Sequence, residues 1–134
     1  MVEDWSEATP HNWKYFRYGS LEFRAPAGVE PQPGAAFDSP AIQYSGEGIT
    51  ITIDTGPFAD PLTRYQGHAD YRRISDQVGG RSANIVSFSS DGSHVVAARL
   101  APDDVEAITF VIHLKKEVSD EIAFKILRSV RFIL

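Results

Sequence analysis

The most regular alternation in the chain runs from Ile49 to Asp54, with Ile49, Ile51 and Ile53 on one side and Thr50, Thr52 and Asp54 on the other. A period of two is that of a β-strand with one buried face. Ala41 to Tyr44 precedes it across Ser45-Gly46-Glu47-Gly48, so the two segments read as a hairpin. Earlier, Trp13 to Tyr18 and Leu21 to Arg24 flank Gly19-Ser20 and predict two short strands broken by a bend. From Pro26 to Pro40 the density of proline and glycine excludes regular structure and predicts a long surface loop. Thr55 to Gly67, with Gly56-Pro57 and Asp60-Pro61, reads as irregular. Ala69 to Gln77 fits two periods: Tyr71, Ile74 and Val78 make a helical stripe, yet the Gly79-Gly80 stop suits a strand equally, and we take it as a strand.

The second half of the chain can be registered on paper. A two-residue turn at Asp91-Gly92 pairs Ser90 with Ser93, Phe88 with Val95 and Val86 with Ala97. Symmetric closure over Ala101 to Glu106 then sets Val95 opposite Ile112, Ala97 opposite Phe110 and Arg99 opposite Ile108. One face collects Val86, Phe88, Val95, Ala97, Phe110 and Ile112, while the other is mixed. Ser119 is a good N-cap, and Asp120 and Glu121 suit the first turn of a helix. At 3.6 residues per turn Ile122, Ala123, Ile126, Leu127 and Val130 share one stripe, which the apolar face of the meander is expected to receive. Arg131 to Leu134 would follow as a short extension or edge strand.

With 134 residues the chain has the size of one domain, 1–134, with residues 1–10 as a flexible leading segment. Cysteine is absent, which removes disulfides, thiolate metal sites and thiol nucleophiles. Thirteen basic against eighteen acidic residues argue against a nucleic-acid binder. No run approaches the ~20 apolar residues of a transmembrane helix, and Met1 to Pro10 is too acidic for a signal peptide. The sequence as written therefore suits the cytoplasm, or the periplasm or cell envelope if an export signal has been removed.

The order of an aromatic opening strand, a Pro/Gly-rich loop, an Ile-rich strand, Gly79 to Asn84 (Gly-Gly-Arg-Ser-Ala-Asn), a three-strand meander and a closing Ile126-Leu127-Arg128-Ser129-Val130-Arg131-Phe132 resembles the PsbP-like superfamily. That superfamily includes the photosystem PsbP proteins, the Ran-binding Mog family and bacterial DcrB-like proteins. The resemblance implies an α+β fold, an antiparallel sheet with helices packed on it in an α/β/α sandwich, and a role in binding or assembly. It transfers no catalytic residue.

Two clusters could carry chemistry. The register above sets His94 directly opposite His113, with Ser89 paired to His94, a spacing that lets two imidazoles share a metal. A third ligand is missing, as are the orienting acid and oxyanion hole of a serine hydrolase, so half-exposed polar residues on a solvated face account for the pair. The second cluster is Asp54, Asp60, Arg64, His68, Asp70, Arg72 and Arg73. Of these, Arg64, His68, Asp70, Arg72 and Arg73 are the candidate binding residues, the arginines to grip an acidic partner, against ordinary loop polarity. Gly79-Gly80-Arg81-Ser82 lacks the lysine of a phosphate loop and reads as a turn. Trp5, Trp13, Tyr15, Phe16 and Tyr18 could form an aromatic recognition surface or pack inside.

These observations favour a non-catalytic binding or assembly module, monomer or homodimer, that meets a protein partner and uses no cofactor. The alternatives are a small-molecule or metal carrier, and a small hydrolase-type enzyme built on the histidines or on the Asp54 to Asp70 segment.

Overall fold

A computed structural model describes residues 13–18, 21–31, 42–55, 67, 69–90, 92–100 and 108–132. Ten strands and one helix are found among them: β1 (Trp13–Tyr18), β2 (Leu21–Pro26), β3 (Glu30–Pro31), β4 (Ile42–Gly46), β5 (Ile49–Thr55), β6 (Ala69–Val78), β7 (Arg81–Ser90), β8 (Ser93–Leu100), β9 (Ile108–Leu114), α1 (Asp120–Arg128) and β10 (Arg131–Phe132). Seven strands form one sheet in the order β3-β4-β5-β9-β8-β7-β6, and β1-β2-β10 form a second. Every pairing is antiparallel.

The alternation of β5 does what its sequence implies. Ile49, Ile51 and Ile53 are buried and meet Leu114, Ile112 and Phe110 of β9 across the ladder. That face continues through Val96, Ala98 and Leu100 of β8 to Ala83 and Ile85 of β7, all in one cluster with Ala123, Ile126, Leu127 and Val130 from α1 and its exit. The small sheet closes the rest of the same layer. Phe23 of β2 packs edge-on against Phe110 at 5.8 Å and against Tyr44 at 5.4 Å, and lies stacked on Phe16 at 5.4 Å. Such ring pairs add to plain area burial.

Ser119 caps α1 by accepting a hydrogen bond from the Glu121 N–H at 3.3 Å. At the other end, the buried Ser129 hydroxyl donates to the Ile126 carbonyl at 2.6 Å and accepts from the Arg24 N–H at 2.8 Å. One side chain thus ties the end of the helix to β2. No helix among the described residues is long and apolar enough to cross a membrane.

Glu30 and Pro31 form β3 inside the stretch from Pro26 to Pro40 that was expected to lack regular structure, because their backbone pairs with Ser45 and Tyr44 of β4. Two further expectations are corrected. The fold is mainly β rather than α+β, and the α/β/α sandwich with helices on the sheet is not the arrangement. One nine-residue helix shares its layer with a three-stranded sheet, because the aromatic β1 and β2 supply the apolar cover that further helices were expected to give. The second correction is the register of β9. The β7–β8 hairpin pairs as the Asp91-Gly92 turn predicts, with Phe88 opposite Val95. In the next pair, Val95 lies opposite His113 and Val96 opposite Ile112, one residue off the expected ladder, since Leu100 pairs with Ile108.

A slip of one residue moves every β9 side chain to the other face. The helix therefore covers Ile85, Val96, Ala98, Phe110 and Ile112, whereas Val86, Phe88, Val95 and Ala97 form a separate buried cluster with Tyr71 and Val111 on the far side. Both faces of β7 and β8 carry buried apolar residues, so hydrophobicity alone did not choose between the registers.

Candidate functional site

The two ends of the large sheet are β3 and β6. β6 is ten residues long and, among the described residues, pairs only with β7. Gly79-Gly80 makes the tight turn between them, both glycines having positive φ (61° and 83°) as a two-residue hairpin of type I′ requires. A Cβ on Gly79 would sit 2.9 Å from the Phe132 ring, so the turn also needs glycine there for space.

In such a hairpin the residues flanking the turn, Val78 and Arg81, exchange backbone hydrogen bonds. Every second residue back along β6, namely Asp76, Ile74 and Arg72, then points its backbone groups at β7. Gln77, Ser75 and Arg73 direct theirs outward. Consistent with this, the Gln77 N–H is bonded by the Asp76 carboxylate at 2.7 Å.

Side chains alternate in the same way. Arg72, Ile74 and Asp76 are paired with Ser87, Ile85 and Ala83 on the face that carries α1, and Arg73, Ser75 and Gln77 with Val86, Asn84 and Ser82 on the other. All six are exposed. Ile74 is 45% exposed, and with Val78, Ile85, Phe124 and Leu127 it lines a cleft of about 120 Å³ between the sheet edge and α1, alongside Asp76 and Arg128. At the opposite end of β6 the ladder is irregular between Ala69 and Arg72, and Asp70 takes a left-handed φ of 57°. The Ser89 hydroxyl donates to its carboxylate at 3.0 Å. An aspartate tolerates that backbone better than most residues, and the cross-strand bond from Ser89 orients its carboxylate.

Asp70, Arg72, Ser89, His94 and Asp120 line a second, polar cleft of about 190 Å³. The Ser89 proton is directed at Asp70, which is not the arrangement that activates a serine through an imidazole. The proposed histidine pair is not formed. His94 is opposite Leu114 and His113 opposite Val95, which puts the two rings on different faces of the sheet. His113 instead lines a third cleft, of about 280 Å³, with Glu47, Thr50, Ser93 and Lys115. Although the ring keeps contact with solvent, the neighbouring strands cost it hydration, and burial lowers its pKa below the ordinary 6.5.

Of the candidate binding residues, Asp70, Arg72 and Arg73 are all on β6. Arg64, His68 and Asp60 lie outside the described residues. Asp54 is on β5, four strand positions from β6, about 19 Å away at ~4.8 Å per strand. Among the described residues no three histidine or acidic side chains are grouped so as to hold a metal. Of the aromatic set, Phe16 is buried and Tyr15 is 59% exposed with the Arg24 guanidinium stacked 4.2 Å from its centroid. Trp5 and the Tyr18 side chain lie outside what is described. Sequence reasoning missed Ile74, whose spacing from Tyr71 and Val78 placed it in a helical stripe. The signal that could have found it is the alternation Arg72, Ile74, Asp76 running into Gly79-Gly80.

No family model and no curated protein matches the chain. Among solved structures, a protein from Bacteroides thetaiotaomicron VPI-5482 aligns with a TM-score of 0.58 at 9% identity, over 92% of this chain and 49% of its own. The chain thus spans about half the length of that protein, and the likeness is one of fold. LpqN, involved in cell envelope biogenesis of Mycobacterium tuberculosis, aligns with a TM-score of 0.39 at 16% identity, over 93% of this chain and 80% of LpqN. Neither is described as PsbP-like.

Proposed function

We propose that this chain is a protein-binding or assembly module whose docking surface is the open edge of β6. The observation that carries the reading is a ten-residue edge strand with outward backbone groups and an exposed isoleucine beside an apolar cleft. An added strand gains main-chain hydrogen bonds along such an edge, and a flanking cleft selects its side chains. Arg72 and Arg73 give the edge two exposed cations suited to a partner carboxylate.

The carrier and enzyme readings find less support. Among the described residues, the three clefts named above hold about 280, 190 and 120 Å³, under the ~300–1,000 Å³ usual for small-molecule sites.

A proline in place of Ser75 tests the proposal, since it removes an outward N–H and obstructs an incoming strand while an edge position tolerates it. In side-by-side crosslinking from the native source, Ser75→Pro is expected to keep its circular-dichroism spectrum and lose the partners held by the unmodified chain. Retention of the same partners by folded Ser75→Pro would overturn the reading.

A further inference from the structure

We infer that the strand received by the β6 edge is β6 of a second copy of this chain, running antiparallel about a two-fold axis at Ile74. The inference rests on β6 being the docking edge and names its occupant.

Backbone parity limits the ways two copies can join. Outward groups belong to Arg73, Ser75 and Gln77, and these must face one another for hydrogen bonds to form between the copies. A two-fold can then be centred on any one residue from Arg72 to Asp76; Arg72 or Asp76 at the centre would oppose like charges, which leaves Arg73, Ile74 and Ser75 to compare. Centred on Arg73, it sets two guanidinium groups against each other, and like charges directly opposite are destabilising. Centred on Ser75, it sets each Ile74 against a carboxylate, Asp76 of the other copy.

Centred on Ile74, no like charges stand directly opposite each other. The two Ile74 side chains meet in a non-hydrogen-bonded pair, where cross-strand side chains come closest. Arg72 of each copy faces Asp76 of the other, so the same ion pair forms twice, and Arg73 faces Ser75. The stretch Arg72-Arg73-Ile74-Ser75-Asp76 is thus self-complementary in charge and in apolarity, the property an isologous interface needs. Asp76 is already oriented by its bond to the Gln77 N–H, and carries a second oxygen for the incoming guanidinium.

The same geometry gives the exposed Ile74 a cover. A two-fold perpendicular to the sheet keeps the α1 face continuous across the join, so Ile74 of the second copy lies against Ile74 at the mouth of the cleft formed with Val78, Phe124 and Leu127. Arginines and a bulge ordinarily guard a long edge against pairing. Here Asp76, four residues from Arg72, supplies the matching charge that admits one particular partner.

The chain has no cysteine, so a single introduced thiol reports the register without background. Ile74→Cys is expected to give a disulfide-linked dimer on mild oxidation, since directly opposed Cβ atoms are roughly 4.5–5.5 Å apart. Ser75→Cys, whose counterpart is diagonal and about 7–8 Å away, is expected to remain unlinked. In sedimentation, Arg72→Asp and Asp76→Arg should each run as a 14.8 kDa monomer. Mixed together they should recover a species of twice that mass, because the two variants restore both ion pairs between unlike chains.

A wild-type chain that stays monomeric at every concentration, while Ser75→Pro still loses captured partners, would overturn the second-copy proposal and leave the edge as a docking site for another protein. A dimer in which Ile74→Cys links no better than Ser75→Cys would place the interface elsewhere and overturn it as well. If the wild type is monomeric and Ser75→Pro loses nothing, the edge reading falls together with it.

Discussion

The two ends of the seven-stranded sheet are built differently. Among the described residues β3 comprises Glu30 and Pro31, and the proline offers no N–H to another chain. β6 is ten residues long, exposes both faces from Arg72 to Gln77 and keeps a large apolar side chain in water. Proline is one common way of silencing a sheet edge. Among the described residues one end of the sheet carries a proline and the other a long strand with exposed side chains. Exposure along β6 thus sets that end apart from the buried strands beside it.

The contrast sharpens when the sheet centre is set beside the open edge. Phe110 of β9 is fully buried and packs against Phe23. Phe110→Ala should destabilise the fold by about 3–5 kcal/mol, the usual cost of a large cavity in a core. Ile74→Ala should cost about 1 kcal/mol or less, because the side chain is already half in water. Chemical denaturation of both variants checks the pair. Similar losses at the two positions would mean that Ile74 is part of the core and that the edge is not open.

A smaller effect distinguishes the β5–β9 side of the molecule from β6. The folded protein holds His113 below the ordinary pKa of 6.5, so between that lowered value and 6.5 the unfolded chain binds more protons than the folded one. The resulting stability is present above pH 6.5 and is lost as the pH falls through the folded pKa. His113→Gln should show a flatter stability profile than the wild type across this window, in denaturation midpoints measured from pH 7.5 to 5. Parallel profiles would show that the imidazole has the same proton affinity in both states.

Much of the local structure was legible because short-range chemistry specified it. The alternation of β5, the Asp91-Gly92 hairpin and the Ser119 cap each depend on residues close in sequence, and each is formed as read. The β8–β9 register depended on the closure of residues 101–107, which no turn motif fixes, and both faces of β8 are apolar enough to accept either answer. The pairing of β2 with β10 joins segments more than a hundred residues apart; each could be read as a strand, but nothing local marks the two as partners. For that reason the small sheet, which replaces the expected helical layer, was not foreseen. Asp70, Arg72 and Arg73 were singled out by charge, and the structure places all three on the strand at the end of the sheet. Strand order is a property of the whole fold, and it turned Ile74 from one member of an ambiguous stripe into the centre of an exposed edge.

Residue-resolved amide exchange along β6 tests the open edge most directly. In dilute solution exchange is expected to be slow at Arg72, Ile74 and Asp76, whose N–H groups bond to β7, and fast at Arg73 and Ser75, whose groups point outward. Equal protection at all five positions in a dilute, monomeric sample would mean that the outer side of β6 is already covered within the chain, and would contradict the account.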